Sequence, residues 1–452
     1  MKTYSKRIAF CLSDQHIIPH GGLGQFAKSF LENFTPLGYK IDIISDKPTS
    51  NIEFKELLEE RGANFVYPEY VTAYTDHTKA FMFEDSYNLE KIVNFRNSML
   101  RALKENLYDI VICNTLESFP AVYCLNVQKY CQIIYYTHNE SMVFLDDRSW
   151  KNEFTESFNE YFNALLNIPN IVIGTQTERN KEELLKRYSN SKCLPLPMTE
   201  ADLLNKHIKE KSGVLWIGRW EPRKNPEAFV KMIAETKLPA KIITNANGAK
   251  KFEKAMQDIG AEFSIRAGIV GKEKVDFITS ARVAYNPAIR ESFGLAFYET
   301  MGHMPTVVLK GMSWIENFDS KYYIAASKDK VNDIIVKLYN SDISKWYDTG
   351  ALDYVKRMHE NGIQKWLQCF DSFKPAESNT DRAKINEKYT TRYKEFLISL
   401  GRKDIAMDDI RSVLTNKYKF YTIYTDTDTY LSKDKNFIPE EQEDTSLESL
   451  FA

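Results

Sequence analysis

Short apolar segments alternate with helical segments along most of this 452-residue chain. The apolar segments are continuous runs of Ile, Val and Tyr, which is typical of parallel strands buried on both faces of a sheet. Between them, apolar residues recur at helical spacing, as Phe26, Phe30 and Phe34 do in the segment 22–34. This alternation restricts the chain to the α/β class, in which helices cover both faces of a parallel sheet.

Two such series follow one another, and each is long enough for a domain of its own. We predict a doubly wound domain over residues 1–195 and a second one over 196–375, divided at the proline-containing segment 194–197. The strands expected in the first domain are 8–13, 40–45, 109–114, 132–136 and 170–175, with helices at 22–34 and 89–107. The strands expected in the second are 214–218, 241–245, 262–267, 283–287 and 306–309.

The residues after 375 form an appendage of different composition. Residues 383–400 predict a long helix within the segment 376–400, and residues 401–438 form an extension that is rich in Tyr and Thr near its end. The final segment, 439–452, carries five acidic residues and no basic one, which predicts a flexible tail.

Composition excludes some classes of protein. No stretch of about 18 apolar residues is present, so the sequence predicts no membrane-spanning helix. The first apolar run is too short for a signal peptide. The six cysteines lack CxxC or Cys/His ligand spacing, so we expect buried free thiols in a reducing cytoplasm. The net charge of −2 neither favours nor excludes a nucleic-acid partner.

Two carboxylates lie eight positions apart in the segment Glu291-Ser-Phe-Gly-Leu-Ala-Phe-Tyr-Glu299. We expect Glu291 in a loop and Glu299 in the first turns of a helix, whose backbone N–H groups favour an anion. This arrangement suits a ligand with a diphosphate and hydroxyl-rich sugars. The alternative is a pair of surface charges at a helix start. The turn and the helix start between the two carboxylates are also candidate ligand contacts. These residues are Ser292, Phe293, Gly294 and Leu295.

Two cations follow the strand expected at 214–218. Arg219 comes directly after it, and Lys224 follows five residues later, just before Asn225. Two cations at a strand end neutralise a diphosphate and stabilise it as a leaving group. The alternatives are that Arg219 pairs with a local acid and that Lys224 is a solvated loop charge.

Glycines follow the first strand in His20-Gly-Gly-Leu-Gly24. Gly21, Gly22 and Gly24 would let the backbone approach a phosphate or sugar closely, although a tight turn between strand and helix also needs glycine. His138 follows the strand at 132–136, where strand ends of an α/β domain meet a binding crevice. The alternative for His138 is a structural histidine.

Weaker candidates lie beside these motifs. Arg290 is a candidate phosphate or acceptor ligand, and Lys272 and Lys274 are candidates for lining a base pocket through backbone contacts. The Asp-Thr-Asp sequence at 426–428 has the form of a metal-binding motif but lies in a Thr/Tyr-rich segment, so we interpret it as a solvated turn.

The chain resembles the retaining glycosyltransferases of the GT-B fold, of the family 4 type, over residues 6–400. Four motifs carry this resemblance. They are the carboxylate pair Glu291 and Glu299 (E-x7-E), the cations Arg219 and Lys224, the glycines at 21–24, and His138 at a strand end. After Lys224, Asn225 replaces a family glycine. The resemblance implies two Rossmann-like domains facing a cleft, a UDP-sugar donor, and no metal or other cofactor. It assigns catalysis to His138, Arg219, Lys224 and Glu291, and the ribose hydroxyls to Glu299.

The resemblance also implies that the helix at 383–400 returns to the first domain. One departure follows Glu299, where Met304 stands in place of a family glycine and Pro305 comes one residue early. The shape of this loop bears on donor-sugar selectivity. The transferred sugar can be glucose or a pentose such as arabinose, and the sequence does not decide between them.

Two features point to the acceptor. The tail ends in a Leu-x-x-Leu-Phe sequence (Leu447, Leu450, Phe451), which is similar to the C-terminal peptides that bind the DNA sliding clamp in T-even-type phages. The alternative is that these residues pack on their own domain. The segments 134–141 and 216–219 resemble the phage glucosyltransferases that modify hydroxymethylcytosine.

The sequence therefore predicts sugar transfer to 5-hydroxymethylcytosine in double-stranded phage DNA within the infected cell, with the base flipped from the stack. One alternative is a bacterial glycosyltransferase acting on lipopolysaccharide, wall polymer or exopolysaccharide. A second is a non-catalytic, clamp-tethered DNA-binding protein. Candidate contacts to the DNA backbone are Lys384, Lys388, Arg392, Lys394, Arg402, Lys403, Arg411, Lys417 and Lys419.

Overall fold

A computed structural model describes most of the chain up to residue 373. The described residues are 6–19, 21–68, 87–115, 118–125, 127, 130–138, 171–186, 188–207 and 209–373. Within these ranges, no helix is both long and apolar enough to cross a membrane.

The first domain is built on a parallel sheet of seven strands. Their order is β3-β2-β1-β4-β5-β6-β7, so the direction of strand addition reverses between β1 and β4. Strands β4, β5 and β6 are buried along their whole length, as expected for a sheet covered on both faces. The strands are β1 (Arg7–Cys11), β2 (Lys40–Ile44), β3 (Ala63–Val66), β4 (Ile110–Cys113), β5 (Gln132–Tyr136), β6 (Ile171–Thr175) and β7 (Ser191–Cys193).

The second domain is built on a parallel sheet of six strands in the order β10-β9-β8-β11-β12-β13. The reversal lies between β8 and β11, and ligands of open α/β sheets bind outside the carboxyl ends of the strands at such a point. The strands are β8 (Val214–Ile217), β9 (Ala240–Thr244), β10 (Phe263–Ala267), β11 (Val283–Asn286), β12 (Thr306–Leu309) and β13 (Ile324–Ala326).

Helices connect the strands in both domains. Three of them begin at a side-chain cap: Asn51, Thr177 and Asn245 each accept a backbone N–H of the first turn. In the described part of the chain the helices are α1 (Gly22–Phe34), α2 (Ile52–Glu60), α3 (Tyr87–Glu105), α4 (Ser118–Cys124), α5 (Glu178–Leu185), α6 (Pro226–Thr236), α7 (Ala246–Asp258), α8 (Gly271–Thr279), α9 (Leu295–Met301), α10 (Val331–Asn340), α11 (Ser344–Asp348) and α12 (Ala351–Asp371).

The end of α12 packs on the first domain. Trp366 is fully buried, and its ring centroid lies 5.4 Å from that of Phe30 and 5.2 Å from that of Tyr136. Its Nε1 donates to the carbonyl of Pro195 at 3.0 Å. A helix of the sequence range 196–375 therefore contributes to the first domain's core. The helix expected at 383–400 lies outside the described residues.

All ten predicted strands are present, with ends that differ from the expected ones by at most two residues. Strands β3, β7 and β13 were not predicted from the sequence. Two of these have only three residues, and β7 reads Ser-Lys-Cys, which carries no apolar run. Strands this short are held by their neighbours in the sheet and leave little local signal.

Candidate functional site

Lys224 and Glu291 meet at the carboxyl ends of β8 and β11. Lys224 ends a short 3-10 turn after β8, Glu291 follows β11, and the Lys224 ammonium donates a hydrogen bond to Glu291 Oε1. The two loops are also joined through the backbone, because the N–H of Ile289 donates to the carbonyl of Arg223 at 2.9 Å. The structure thus brings together one cation and one carboxylate that the sequence analysis assigned to the same site.

Both members of this pair are largely buried. The side chains of Lys224 and Glu291 are 13% and 7% exposed. Burial lowers the pKa of Lys224, and the attraction of Glu291 opposes that shift. The pair is therefore an internally neutralised cation that a second anion can share.

Arg223 is a functional candidate that the sequence analysis missed. Its Nη1 lies 3.7 Å from Glu291 Oε2, so Glu291 faces two cations. The sequence feature that could have identified Arg223 is its position beside Lys224 in the 3-10 turn. The turn ends at Asn225, which has φ 55° and ψ 53°, a left-handed conformation that asparagine tolerates better than most residues.

Arg219 behaves differently from Lys224. Its side chain is 51% exposed, and its Nε lies 2.9 Å from Glu221 Oε1, so it pairs with a local acid as the alternative interpretation held. Exposed ion pairs of this kind contribute little stability, and the guanidinium is readily redirected to another anion. Arg290 lies in the loop before Glu291, with its backbone N–H 3.4 Å from the carbonyl of Arg223.

The turn between the two carboxylates has the predicted form. Glu291 lies in a loop, and Glu299 lies within α9. Gly294 has φ 89°, and a Cβ there would lie 2.9 Å from the ring of Trp314, so only glycine fits. Phe293 is buried, with its ring 5.6 Å from that of Phe318, which makes it a core residue of this turn.

Glu299 is more deeply buried than Glu291, with a side chain 3% exposed. Its Oε1 accepts from the Lys274 ammonium at 2.5 Å and from the Thr199 hydroxyl. Lys274 was expected to offer backbone contacts, and the structure instead directs its ammonium to Glu299. Thr199 was not predicted as a site residue, because it lies 100 positions from Glu299.

The glycine turn caps α1. Gly21 is the N-cap residue of the helix, and Gly22 and Gly24 lie in its first turn. A Cβ at Gly24 would lie 2.8 Å from the carbonyl oxygen of His16, so the preceding loop packs directly on the helix start. A Cβ at Gly22 would meet no atom within 4 Å. Gly24 thus has a packing reason to be glycine. His20 lies outside the described residues.

His138 lies at the end of β5 and is held by two amides. Asn114 Nδ2 donates to the carbonyl of Cys11, which turns its Oδ1 towards His138 Nε2 at 3.2 Å. Gln176 Nε2 lies 3.2 Å from His138 Nδ1. The ring is therefore the neutral Nε2–H tautomer, since Asn114 accepts and Gln176 donates.

Asn114 and Gln176 were missed by the sequence analysis, although each is a polar residue that directly follows a buried strand. The pKa of His138 falls to about 3, first because burial disfavours the charged ring and second because His16 lies nearby. His138 thus orients and hydrogen-bonds, and it does not exchange protons at neutral pH. Its neighbours Asn139 and Glu140 lie outside the described residues.

This gives a pH prediction. Because the folded-state pKa of His138 lies below the unfolded value, unfolding takes up a proton at acidic pH, and the stability that the neutral ring contributes is lost as pH falls. Between pH 6.5 and 3, we expect this residue to lower the free energy of unfolding by about 1.4 kcal/mol per pH unit. Urea titrations of wild type and His138→Gln across this range should differ by that slope. Parallel pH profiles would contradict the assignment.

The remaining predicted residues lie beyond the described part of the chain. They are Leu447, Leu450 and Phe451 of the tail, the basic residues between 384 and 419, and the Asp-Thr-Asp turn at 426–428. Among the described residues, no group of three or more His, Cys, Asp or Glu side chains is arranged to hold a metal ion. That the protein needs no metal stays a prediction.

No protein-family model matches this chain, and a comparison with curated proteins finds no match either. Solved structures do resemble it. Sucrose-phosphate synthase from Thermosynechococcus elongatus superposes with a TM-score of 0.56 at 14% identity, covering 87% of this chain and 100% of the other. HepE from Anabaena, in complex with UDP and glucose, gives 0.59 at 13% identity, with 82% and 100% covered.

A mutant of TarM from S. aureus, in complex with UDP and α-GlcNAc-glycerol among other ligands, gives a TM-score of 0.60 at 14% identity. It covers 81% of this chain and 100% of its own. Sequence identity this low shows a shared fold and nothing more. Two parallel-sheet domains of seven and six strands, matched over more than four fifths of the chain to these structures, give this chain the GT-B fold.

Proposed function

We propose that this protein is a glycosyltransferase that uses a UDP-sugar as donor. The observation that carries the proposal is the buried Lys224–Glu291 pair at the strand reversal of the second sheet. An ammonium held there by a carboxylate offers a fixed positive charge to a diphosphate. The HepE and TarM structures hold UDP, which supports a uridine nucleotide.

In the proposed mechanism, the diphosphate binds between the two loops that Lys224 and Glu291 join. Lys224 is shared between Glu291 and the phosphate, and Arg219 turns from Glu221 towards the second phosphate. Glu299 accepts hydrogen bonds from the ribose hydroxyls through its Oε2, because Thr199 and Lys274 occupy Oε1. Glu291 also accepts from sugar hydroxyls, and the neutral Nε2–H form of His138 orients the first-domain side of the cleft.

The reaction then proceeds with retention of configuration. The bond between the anomeric carbon and the leaving phosphate oxygen breaks while the acceptor oxygen forms its bond on the same face of the sugar. The acceptor's proton passes to the departing phosphate oxygen, and Lys224 and Arg219 stabilise the remaining charge on UDP. Domain closure limits hydrolysis of the donor.

For the acceptor, we propose 5-hydroxymethylcytosine in double-stranded phage DNA. The support is sequence similarity in 134–141 and 216–219 to phage DNA glucosyltransferases, together with the Leu-x-x-Leu-Phe tail. The tail would tether the enzyme to the phage sliding clamp and raise its local concentration on DNA. Deleting residues 445–452 should then weaken binding to the clamp and leave turnover on short duplexes unchanged.

A wall-polymer glycan is the second candidate acceptor. The TarM structure holds α-GlcNAc-glycerol, a fragment of a sugar-bearing polyol. Such an acceptor reacts through an alcohol hydroxyl, as hydroxymethylcytosine does through its primary hydroxyl, so the donor half of the mechanism is the same for both.

The test is UDP release from a panel of UDP-sugars, including UDP-glucose and a UDP-pentose. Each donor is offered with a hydroxymethylcytosine duplex, with the same duplex carrying unmodified cytosine, and with a glycerol-phosphate polymer. Release that requires the modified duplex supports the DNA acceptor, and release that requires the polymer moves the acceptor to glycans. No release from any donor overturns the proposed activity.

A further inference from the structure

The segment Met198–Glu200 joins the two domains and is buried along its length. On the first-domain side, α1 holds it through three hydrogen bonds. Ser29 Oγ donates to the carbonyl of Met198 at 2.6 Å. The Lys28 ammonium donates to the carbonyl of Thr199 at 3.1 Å and to Glu200 Oε2 at 2.6 Å.

The same segment is held by the second domain on its other side. Thr199 Oγ1 donates to Glu299 Oε1, which also accepts from Lys274. The backbone N–H of Gly271, at the start of α8, donates to Glu200 Oε1 at 3.0 Å. The Thr199 hydroxyl thus bonds to the second domain, whereas the Glu200 carboxylate bonds to both domains. We call the five residues Lys28, Thr199, Glu200, Lys274 and Glu299 the linker clasp.

The linker clasp buries four charges. The side chains of Lys28 and Glu200 are 1% and 6% exposed, and those of Lys274 and Glu299 are 8% and 3% exposed. Buried ion pairs are seldom more stable than apolar residues of the same volume, whereas they do fix one geometry, because a mispaired buried charge is costly. Stability alone thus gives little reason to bury four charges here. The need to hold the Glu299 carboxylate in one position does give a reason.

We propose that Thr199 and Glu200 are positioning residues that couple the donor carboxylate Glu299 to helix α1 of the opposite domain. This rests on the proposed function, in which Glu299 binds the donor ribose through Oε2. Thr199 fixes the plane of that carboxylate, and Glu200, one residue on, transmits its position to Lys28. Because α1 begins at the Gly21–Gly24 turn, donor binding in one domain sets the position of the glycine turn in the other.

The test compares UDP affinity, measured by calorimetry, in wild type, Thr199→Val, Thr199→Ser and Glu200→Gln. Valine keeps the shape of threonine and loses the hydroxyl, which donates to Glu299 and accepts from Lys274 at 3.4 Å, so we expect UDP to bind about tenfold more weakly. Serine keeps the hydroxyl and should restore wild-type affinity. Glu200→Gln touches neither UDP nor Glu299, and we expect its affinity to fall about fivefold through the loss of a charge-assisted bond.

Hydrogen exchange supplies a readout that a merely structural role would not move. In wild type, UDP should slow exchange in both α9 and α1. In Glu200→Gln, the effect of UDP should persist in α9 and disappear in α1. The matched control is Asp42→Asn, which weakens a partly buried pair with Arg7 in the first domain, away from the linker clasp. This control should lose stability and keep the UDP response of α1.

The possible failures are distinct. If wild type binds no UDP, both the proposed function and the proposed coupling fail. If wild type binds UDP and both Thr199→Val and Glu200→Gln bind it within twofold of wild type, the linker clasp is only structural and the proposed function stands. If Glu200→Gln does not fold, the Thr199→Val and Thr199→Ser pair, with exchange in α1, decides the matter.

Discussion

Replacing Lys224 by Met should lower kcat/KM for the UDP-sugar by about a thousandfold, in line with the loss of a group that stabilises charge in a transition state. Methionine keeps most of the side-chain volume and removes the ammonium. Glu291 then loses its nearest cation and keeps Arg223 at 3.7 Å. The measurement is steady-state UDP release at several donor concentrations.

Two companions make this result interpretable. Lys231→Met removes an ammonium from α6 of the same domain, where the side chain is 75% exposed, and should leave kcat/KM within a factor of two of wild type. Lys224→Arg keeps the charge and should recover part of the activity, because a guanidinium does not reproduce the position of an ammonium. A Lys224→Met enzyme within tenfold of wild type would remove Lys224 from the mechanism.

The second large effect concerns stability. Trp366→Ala should lower the free energy of unfolding by about 3–5 kcal/mol, the usual cost of truncating a buried aromatic residue. Trp366 is fully buried among Phe26, Phe30 and Tyr136, and its Nε1–H is bonded to the carbonyl of Pro195. The cavity would open between α12 and the first sheet.

Urea unfolding followed by fluorescence and by circular dichroism measures this effect. Trp366→Phe retains most of the ring contacts and loses one hydrogen bond, so it should cost only about 1–2 kcal/mol. Because Trp366 belongs to a helix of the second domain, we also expect Trp366→Ala to separate the unfolding of the two domains into two transitions. A loss under about 1 kcal/mol with one transition would show that α12 contributes little to the first domain.

Elements that are specified by residues close together in the sequence were predicted correctly. Phe26, Phe30 and Phe34 recur at helical spacing, and α1 spans the expected residues 22–34. The Glu291–Glu299 segment forms the expected loop and helix start because Gly294 requires a positive φ at that point. In each case the signal and the structure it specifies lie within a few residues.

Contacts between distant residues were not predictable in the same way. Lys28 meets Glu200 across 172 positions, and Thr199 meets Glu299 across 100. A buried lysine in an amphipathic helix gives no local sign of its partner. The candidate site was therefore predicted as a set of motifs, while its internal pairings, including Lys274 with Glu299 and His138 with Asn114, required the fold.

The docking of α12 also bears on how the protein is made. The whole first sheet, up to Pro195, is synthesised long before the residue that covers the aromatic face of α1, since 171 positions separate Pro195 from Trp366. At a translation rate of about 5–20 residues per second, that interval lasts roughly 10–30 s. During this time the nascent first domain exposes Phe26, Phe30 and Tyr136 at the ribosome. Efficient production should accordingly depend on a chaperone that shields this aromatic surface until the chain has passed residue 371.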